Sequence, residues 1–345
     1  MIINPIFCMN SYLMYRTIIQ KNFAFSSSLP TWYANNAQLR QAISTSDELG
    51  EFLCKSIQKA AQEGPIALML SSGMDSAILA SYMPKGSTAY TLRCVANSAI
   101  DETKQANFFA QINELKHEVV NIYWHDFEKY SLPLMRQKGY PIHSIEVQIY
   151  KAALLAKAAG IKTLVFGETA DIIYGGHSKL LSRDWTKDQF VERFCFVDPR
   201  KVLKQSLWIE DPILPHVDKN GYVNVHSFLN AFEYDVSLTF YKNACKLAGI
   251  NFLAPYSGTI LNGPLDIARI RSGESKYIIR SLFKKIYPSC SLPPKTPLPR
   301  PMSEWLQNWN GPLHEAFITG CLDEFSGDAK WYIYALNEFL NKLLK

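Results

Sequence analysis

Between about residues 65 and 176, short apolar runs alternate with segments of helical period, the pattern that a parallel sheet wrapped by helices requires. The runs are IALML (66–70), TAYTLR (88–93), EVVNIYW (118–124) and KTLVFG (162–167). The first and last are nearly continuous in apolar or β-favouring residues, as central strands buried on both faces would be. Helices are expected to start near Ser76, Glu102 and Ser144, the third carrying Ile145, Ile149, Ala152, Ala153 and Ala156 on one stripe. These elements predict a doubly wound α/β fold with a mostly parallel sheet of about five strands. Beyond about residue 180 the strand signal fades, and helical patterns near 187–196, 228–249, 274–286 and 328–344 predict a mainly helical C-terminal part. The stretch LPPKTPLPRP (292–301) must be extended or looped, because proline removes amide donors and restricts its neighbour. Residues 1–50 read as an N-terminal extension of unclear structure ahead of one domain over 51–345, and no repeat is visible.

Composition narrows the classes. A chain of 345 residues that is 48% hydrophobic can bury one large core or two modest ones, and a net charge of +5 is far weaker than the basic runs of nucleic-acid binders. The seven cysteines are scattered without a C-x-x-C pair, so neither a zinc ribbon nor a disulfide framework is indicated. The apolar start MIINPIFCMNSYLMYRTII lacks a preceding basic stretch and is interrupted by Asn4, Asn10 and Arg16, and no segment is long enough to span a bilayer. A cytoplasmic, reduced protein with neither nucleic-acid nor membrane partner is the expectation.

Two strand-to-helix junctions carry chemistry. In LMLSSGMDSAILAS (68–81), Ser71, Ser72 and Gly73 let a ligand approach the backbone, and the amides entering the helix form an anion site backed by its dipole. Asp75 beside bound phosphates is what Mg²⁺ needs. The blander reading, in which Gly73 makes the turn and Asp75 with Ser76 caps the helix, is equally open at this point. A Walker-type loop is excluded because the G-K-S/T ending is missing. The second junction, VFGETADIIYGGH (165–177), carries Glu168 and Asp171 three residues apart, which puts both carboxylates on one side of a helical turn at the ligand-binding edge of the sheet. Alone, they read better as solvated acids complementing the helix dipole, with Gly175 and Gly176 ending the turn.

SSGMDS resembles the SGGxDS loop of the ATP-pyrophosphatase (PP-loop) superfamily, with Ser72 where a glycine stands. Both motifs together resemble the synthetase domain of asparagine synthetase and β-lactam synthetase, whose second motif reads roughly SGEGADELFGGY. Asp101 and Glu102 in AIDETKQA match the acidic pair that opens a helix in that family. The resemblance, over about residues 50–310, implies an adenine nucleotide α-hydrolase-like fold, the cofactors ATP and Mg²⁺, and an amide-forming ligase that adenylates a carboxylate and passes the acyl group to ammonia or an amine. It implies that Asp75 and Asp171 bind Mg²⁺ and that Ser71, Ser72, Gly73, Met74 and Ser76 hold pyrophosphate. Adenine would lie against the backbone near Leu92 and Arg93, with Gly167 also on the nucleotide. Glu168 stands where asparagine synthetase has a glutamate and β-lactam synthetase a tyrosine, which favours an external nitrogen nucleophile; Ile172 replaces a second acid.

GESKYIIRSLFKKIYP (273–288) resembles the family's K-x-x-L-R helix, so Lys276 and Arg280 would support the nucleotide, and Lys295 in the proline-rich loop would be the catalytic lysine. A P-x-x-P stretch with a basic residue is otherwise a polyproline II ligand. PYSG (255–258) resembles the family's acceptor segment but has Gly258 in place of an acid, so aspartate is not implied as the substrate. Fewer than about seventy-five residues precede the phosphate loop, too few for the family's glutaminase domain. Ammonia or an amine from solution, or from a separate glutaminase subunit, would then be the nitrogen source; a homodimer is left open. The other readings are a nucleotide-binding subunit with altered catalysis and a thiolation or tRNA-modifying member of the superfamily.

Overall fold

In the computed structural model, which describes residues 1–36, 39–293 and 300–344, five strands form one parallel sheet. They are β1 (Ile66–Met69), β2 (Thr88–Cys94), β3 (Lys116–Ile122), β4 (Thr163–Val165) and β5 (Asn251–Leu253). Their spatial order is β3-β2-β1-β4-β5. The chain therefore builds outward from β1 to β3, returns to pair β4 with β1 in the register Ile66↔Thr163 to Leu68↔Val165, and continues to β5. The direction of winding reverses between β1 and β4, and ligands of open α/β sheets bind at the carboxyl ends of strands flanking such a switch point. Both strands are buried along nearly their whole length, as their unbroken apolar runs require.

The helices from the first half are α1 (Pro5–Tyr15), α2 (Ser46–Gln62), α3 (Met74–Tyr82), α4 (Thr103–Ile112), α5 (Trp124–Lys138), α6 (Ser144–Ala158) and the short α7 (Ala170–Ile173). Later come α8 (Lys187–Phe194), α9 (Tyr234–Ala248), α10 (Tyr277–Ile286) and α11 (Gly327–Leu343).

One expectation needs correction. The third strand ends at Ile122, and Trp124 opens α5 instead of closing a strand, since Asp126 accepts the Tyr123 amide at 2.8 Å as that helix's capping contact. The C-terminal half is mainly helical, as expected, and also carries short strands: Asn251–Leu253 supplies the fifth strand of the sheet, and Thr259–Leu261 pairs in parallel with Gln41–Ile43. The start of α2 is fixed by a capping box in which Glu48 donates its amide to the Thr45 hydroxyl at 3.2 Å.

The apolar N-terminus folds as a buried helix: Cys8, Tyr12, Leu13, Met14 and Tyr15 of α1 are almost wholly inaccessible. Tyr12 donates to the Ile142 carbonyl at 2.9 Å, and Arg16 pairs with Glu233 at 2.6 Å, which ties this segment to the C-terminal helices. Burial lifts the Cys8 thiol to about 12, in keeping with a small apolar core residue. No helix among the described residues is long and apolar enough to cross a membrane.

Candidate active site

A cavity of about 310 Å³ opens at the carboxyl ends of β1 and β4. Ser71, Gly73, Met74, Asp75 and Ser76 border it from the first junction, and Gly167, Glu168 and Asp171 from the second. Leu92 at the end of β2 and Lys276 with Arg280 from the start of α10 close it. The structure thus brings together most of the residues singled out in the sequence, from segments some two hundred positions apart.

The phosphate-loop geometry follows from small side chains folded back on the backbone. Ser71 donates its amide to the Ser76 hydroxyl at 3.0 Å, and Gly73 donates its amide to the Ser71 hydroxyl at 3.2 Å. Gly73 is the N-cap residue of α3 and, having no side chain, puts no capping oxygen over the first amides of α3. Anions are stabilised at such an end by the amides and the helix dipole together. The N-cap position falls on Gly73, with Asp75 and Ser76 already inside the helix. The Tyr256 hydroxyl steadies the loop from behind by donating to the Asp75 carbonyl at 3.1 Å.

Ser72 has a different task from its neighbours. Its amide and its hydroxyl both donate to Glu102 Oε2, each at 2.8 Å. Its φ is not positive, so the position makes no demand for glycine, and the serine adds a bond that glycine could not. Ser72 does not border the cavity. Nor does Arg93, whose Nε donates to Asn121 Oδ1 at 2.8 Å on β3. Lys295 lies outside the described residues.

The two carboxylates expected to take metal face each other across one cation. Lys276 Nζ lies against Asp75 Oδ2 and 2.8 Å from Asp171 Oδ1. Burial by itself would lower the Lys276 pKa, but the two carboxylates outweigh it and raise it, so this lysine is firmly charged. Backbone strain marks both walls. Thr169, between Glu168 and Asp171, has φ 69°, and Lys276 has φ 57°. Left-handed conformations at residues other than glycine cost roughly 1–3 kcal/mol and persist where the surroundings enforce them. Gly176 is required for a steric reason: a Cβ there would sit 1.8 Å from Asp171 Oδ1 and displace the carboxylate.

Glu168 accepts a hydrogen bond from the Ser237 hydroxyl at 2.6 Å and is also bonded by Tyr241, both on α9. Burial raises its pKa, opposed by these donors, and the nearby Asp171 charge raises it further. Sequence reasoning missed Ser237 and Tyr241. Residues 228–249 read as a helix, but nothing in that period says which face meets Glu168. The acceptor segment is explained here too: a Cβ at Gly258 would come 2.6 Å from the Phe52 ring, so an acid at this position has no room beside α2.

The donor set suits a hard cation and a polyphosphate. Two carboxylates converge on one point, an uncapped helix start lies beside them, and Lys276 with Arg280 can meet negative oxygens.

Comparison with known proteins gives the family. The family model described as asparagine synthase matches residues 48–231, just over half the chain, including both motifs but not Lys276 or Lys295. No curated relative matches the sequence. Among solved structures, NMN synthetase from Francisella tularensis is similar at 13% identity and a TM-score of 0.30, over 74% of this chain and 99% of that one. The U34-tRNA thiolase NcsA from Methanococcus maripaludis is similar at 12% identity and a TM-score of 0.28, over 71% of this chain and 80% of that one. With the family match spanning the strand-to-helix junctions that build the cavity, the chain belongs to the asparagine synthase family and is an ATP-using synthetase of the PP-loop type.

Proposed function

We propose that the protein is an amide-forming ligase: a carboxylate attacks the α-phosphorus of ATP to give an acyl-adenylate and pyrophosphate, and ammonia or an amine then displaces AMP. The observation that carries this reading is the convergence of Asp75, Asp171, Lys276 and Glu168 on one cavity beside the uncapped start of α3. Adenylation answers a chemical need, since a carboxylate is a poor electrophile without a leaving group. Asp75 and Asp171 would hold Mg²⁺, which supplies charge neutralisation at the phosphates. The amides of α3 would bind pyrophosphate, and Leu92 would lie against adenine. Lys276 and Arg280 would offset charge that builds on the phosphates, a preorganised stabilisation for which loss of one donor typically costs about 3–4 kcal/mol. Lys295 is proposed to act in the same way on the adenylate.

Glu168 fits the proton acceptor of the second step. An attacking amine must lose a proton as the C–N bond forms and AMP leaves, and a carboxylate whose pKa burial has raised is a better base than an exposed one. Ser237 and Tyr241 hold it in place. Ammonium is therefore proposed as the nitrogen source for the lone chain, with a glutaminase partner supplying it where glutamine is used.

Oxygen-isotope transfer tests the reaction class. With an acceptor found by screening carboxylates, an ¹⁸O-labelled carboxylate should pass one labelled oxygen to AMP. Label in orthophosphate with ADP as the co-product would mean an acyl phosphate and would overturn the reading.

A further inference from the structure

β3 is an edge strand, and its bonding leaves a definite set of main-chain groups open. It pairs with β2 along all seven residues, from Thr88↔Lys116 to Cys94↔Ile122. At one end Lys116 donates its amide to the Ser87 carbonyl at 2.9 Å, and at the other the Ile122 carbonyl accepts the Val95 amide at 2.8 Å. In a parallel pair the residues that bond a given neighbour alternate, so positions 116, 118, 120 and 122 face β2. The main chains of His117, Val119 and Asn121 therefore point away from the sheet, and no described residue bonds to them.

Edge strands are normally blunted by being short, or by proline, a bulge or a charge at the open positions. The opposite edge, β5, follows that rule with only three residues. β3 does not. It is unbroken and free of proline, and its charges, Lys116 and Glu118, sit at positions that bond β2. The open positions carry histidine, valine and asparagine. His117 meets the Thr91 hydroxyl at 2.8 Å and Asn121 accepts from Arg93, so β2 holds both side chains. Burial lowers the His117 pKa, which leaves the open positions uncharged at neutral pH. Val119, at the centre of the strand, is 40% exposed, and Phe108 and Ile112, one turn apart on α4 beside it, are 41% and 45% exposed.

A second copy of the chain fits this edge. With a two-fold axis at Val119 the two strands run antiparallel, and Val119 exchanges both main-chain bonds with Val119 of the second copy. His117 does the same with Asn121 of the second copy, and Asn121 with its His117, so every open group finds a partner. No like charges fall directly opposite, because Glu118 meets Val120 and Lys116 meets Ile122. An axis at His117 or Asn121 would run the pairing off the end of the strand. Two five-stranded sheets joined in this way give a sheet of a size that large α/β enzymes reach.

We infer that the β3 edge is a homodimer interface in which two copies pair their third strands antiparallel about a two-fold axis at Val119. Phe108 and Ile112 add apolar surface beside that axis. The inference does not depend on the reaction assigned to the cavity.

Sedimentation velocity of the full chain at neutral pH, over about 1–100 µM, tests it. Wild type should form a dimer that dissociates on dilution. Val119→Lys sets two ammonium groups against each other at the axis and should weaken the dimer about tenfold or more. Val119→Thr, uncharged and still β-branched, should keep it. Hydrogen exchange on wild type needs no variant. The amides of His117, Val119 and Asn121 should exchange slowly in the dimer and quickly on dilution, while those of Glu118 and Val120, bonded to β2, stay protected throughout. A wild type that stays monomeric over this range would overturn the inference. So would a dimer that Val119→Lys leaves intact. If that variant failed to fold, the exchange result would decide: a dimer that forms without protecting the three amides uses another surface.

Discussion

Lys138 and Lys276 are both buried lysines paired with carboxylates, yet their surroundings differ in sign. Lys138 bonds Glu146 at 2.6 Å with both side chains fully enclosed. Glu146 also accepts the His143 amide at 2.8 Å and the Asn243 side-chain amide at 2.6 Å, so its oxygens are satisfied by α6 and α9. The Lys138 ammonium lies 4.5 Å and 4.6 Å from the Tyr140 and Phe240 ring centres. Burial outweighs the single carboxylate there and lowers the lysine's pKa. At Lys276 two carboxylates outweigh burial and raise it. A balanced, closed pair is a strut between helices. A charged group that opens on a cavity can, in contrast, meet an arriving ligand.

The largest expected effect breaks the strut. Lys138→Met leaves Glu146 charged and unpaired in the interior, for which losses of about 3–5 kcal/mol are typical. Chemical denaturation should show that loss, whereas Lys276→Met, whose carboxylates remain partly exposed to water, should lose clearly less stability. Equal losses at the two lysines would erase the distinction. The site responds in the other currency: Asp75→Asn or Asp171→Asn should reduce pyrophosphate release by about 10²–10³ while the thermal transition stays cooperative. Normal turnover in either variant would remove that carboxylate from the site.

Glu168 joins both behaviours, and its sign can be worked out. Its folded pKa is raised by burial, so its stabilising contribution is present below the unfolded value and lost as pH rises through the folded one. At neutral pH the ionised carboxylate is thus a net cost. Glu168→Gln should melt slightly higher than wild type at pH 7, lose that advantage near pH 4, and abolish amine transfer. Wild-type transfer should in turn fall on the acid side as Glu168 protonates. An unchanged acid limb in the variant would exclude Glu168 as the base.

The smallest effect concerns the loop. Ser72→Gly removes one hydroxyl bond to Glu102 but keeps the amide bond, so about 1 kcal/mol of stability should be lost in a thermal melt, with pyrophosphate release nearly unchanged. A large rate loss would mean that Ser72 contacts the nucleotide directly.

Legibility followed the same physics. β1, β2 and β4 announce themselves because buried strands need apolar runs, and each phosphate-site residue sits in a junction of small side chains. The fifth strand does not, because Asn251–Leu253 is short and only partly buried, so no apolar run marks it. α5 is masked by Pro133 and a polar composition, while Thr45 and Glu48 mark the start of α2 in the sequence itself. Lys276 could be singled out as a nucleotide contact, but its bridge depends on a left-handed φ that local sequence does not specify. Ser237 and Tyr241 reach Glu168 only through the packing of α9.

The central claim is that this cavity cleaves ATP between its α and β phosphates to activate a carboxylate. Product stoichiometry tests it most directly: purified chain with ATP, Mg²⁺, ammonium and a panel of carboxylates, with nucleotides separated and pyrophosphate counted. The account predicts AMP and pyrophosphate in equal amounts, dependent on one acceptor and lost in Asp75→Asn. Acceptor-dependent ADP and orthophosphate would contradict it.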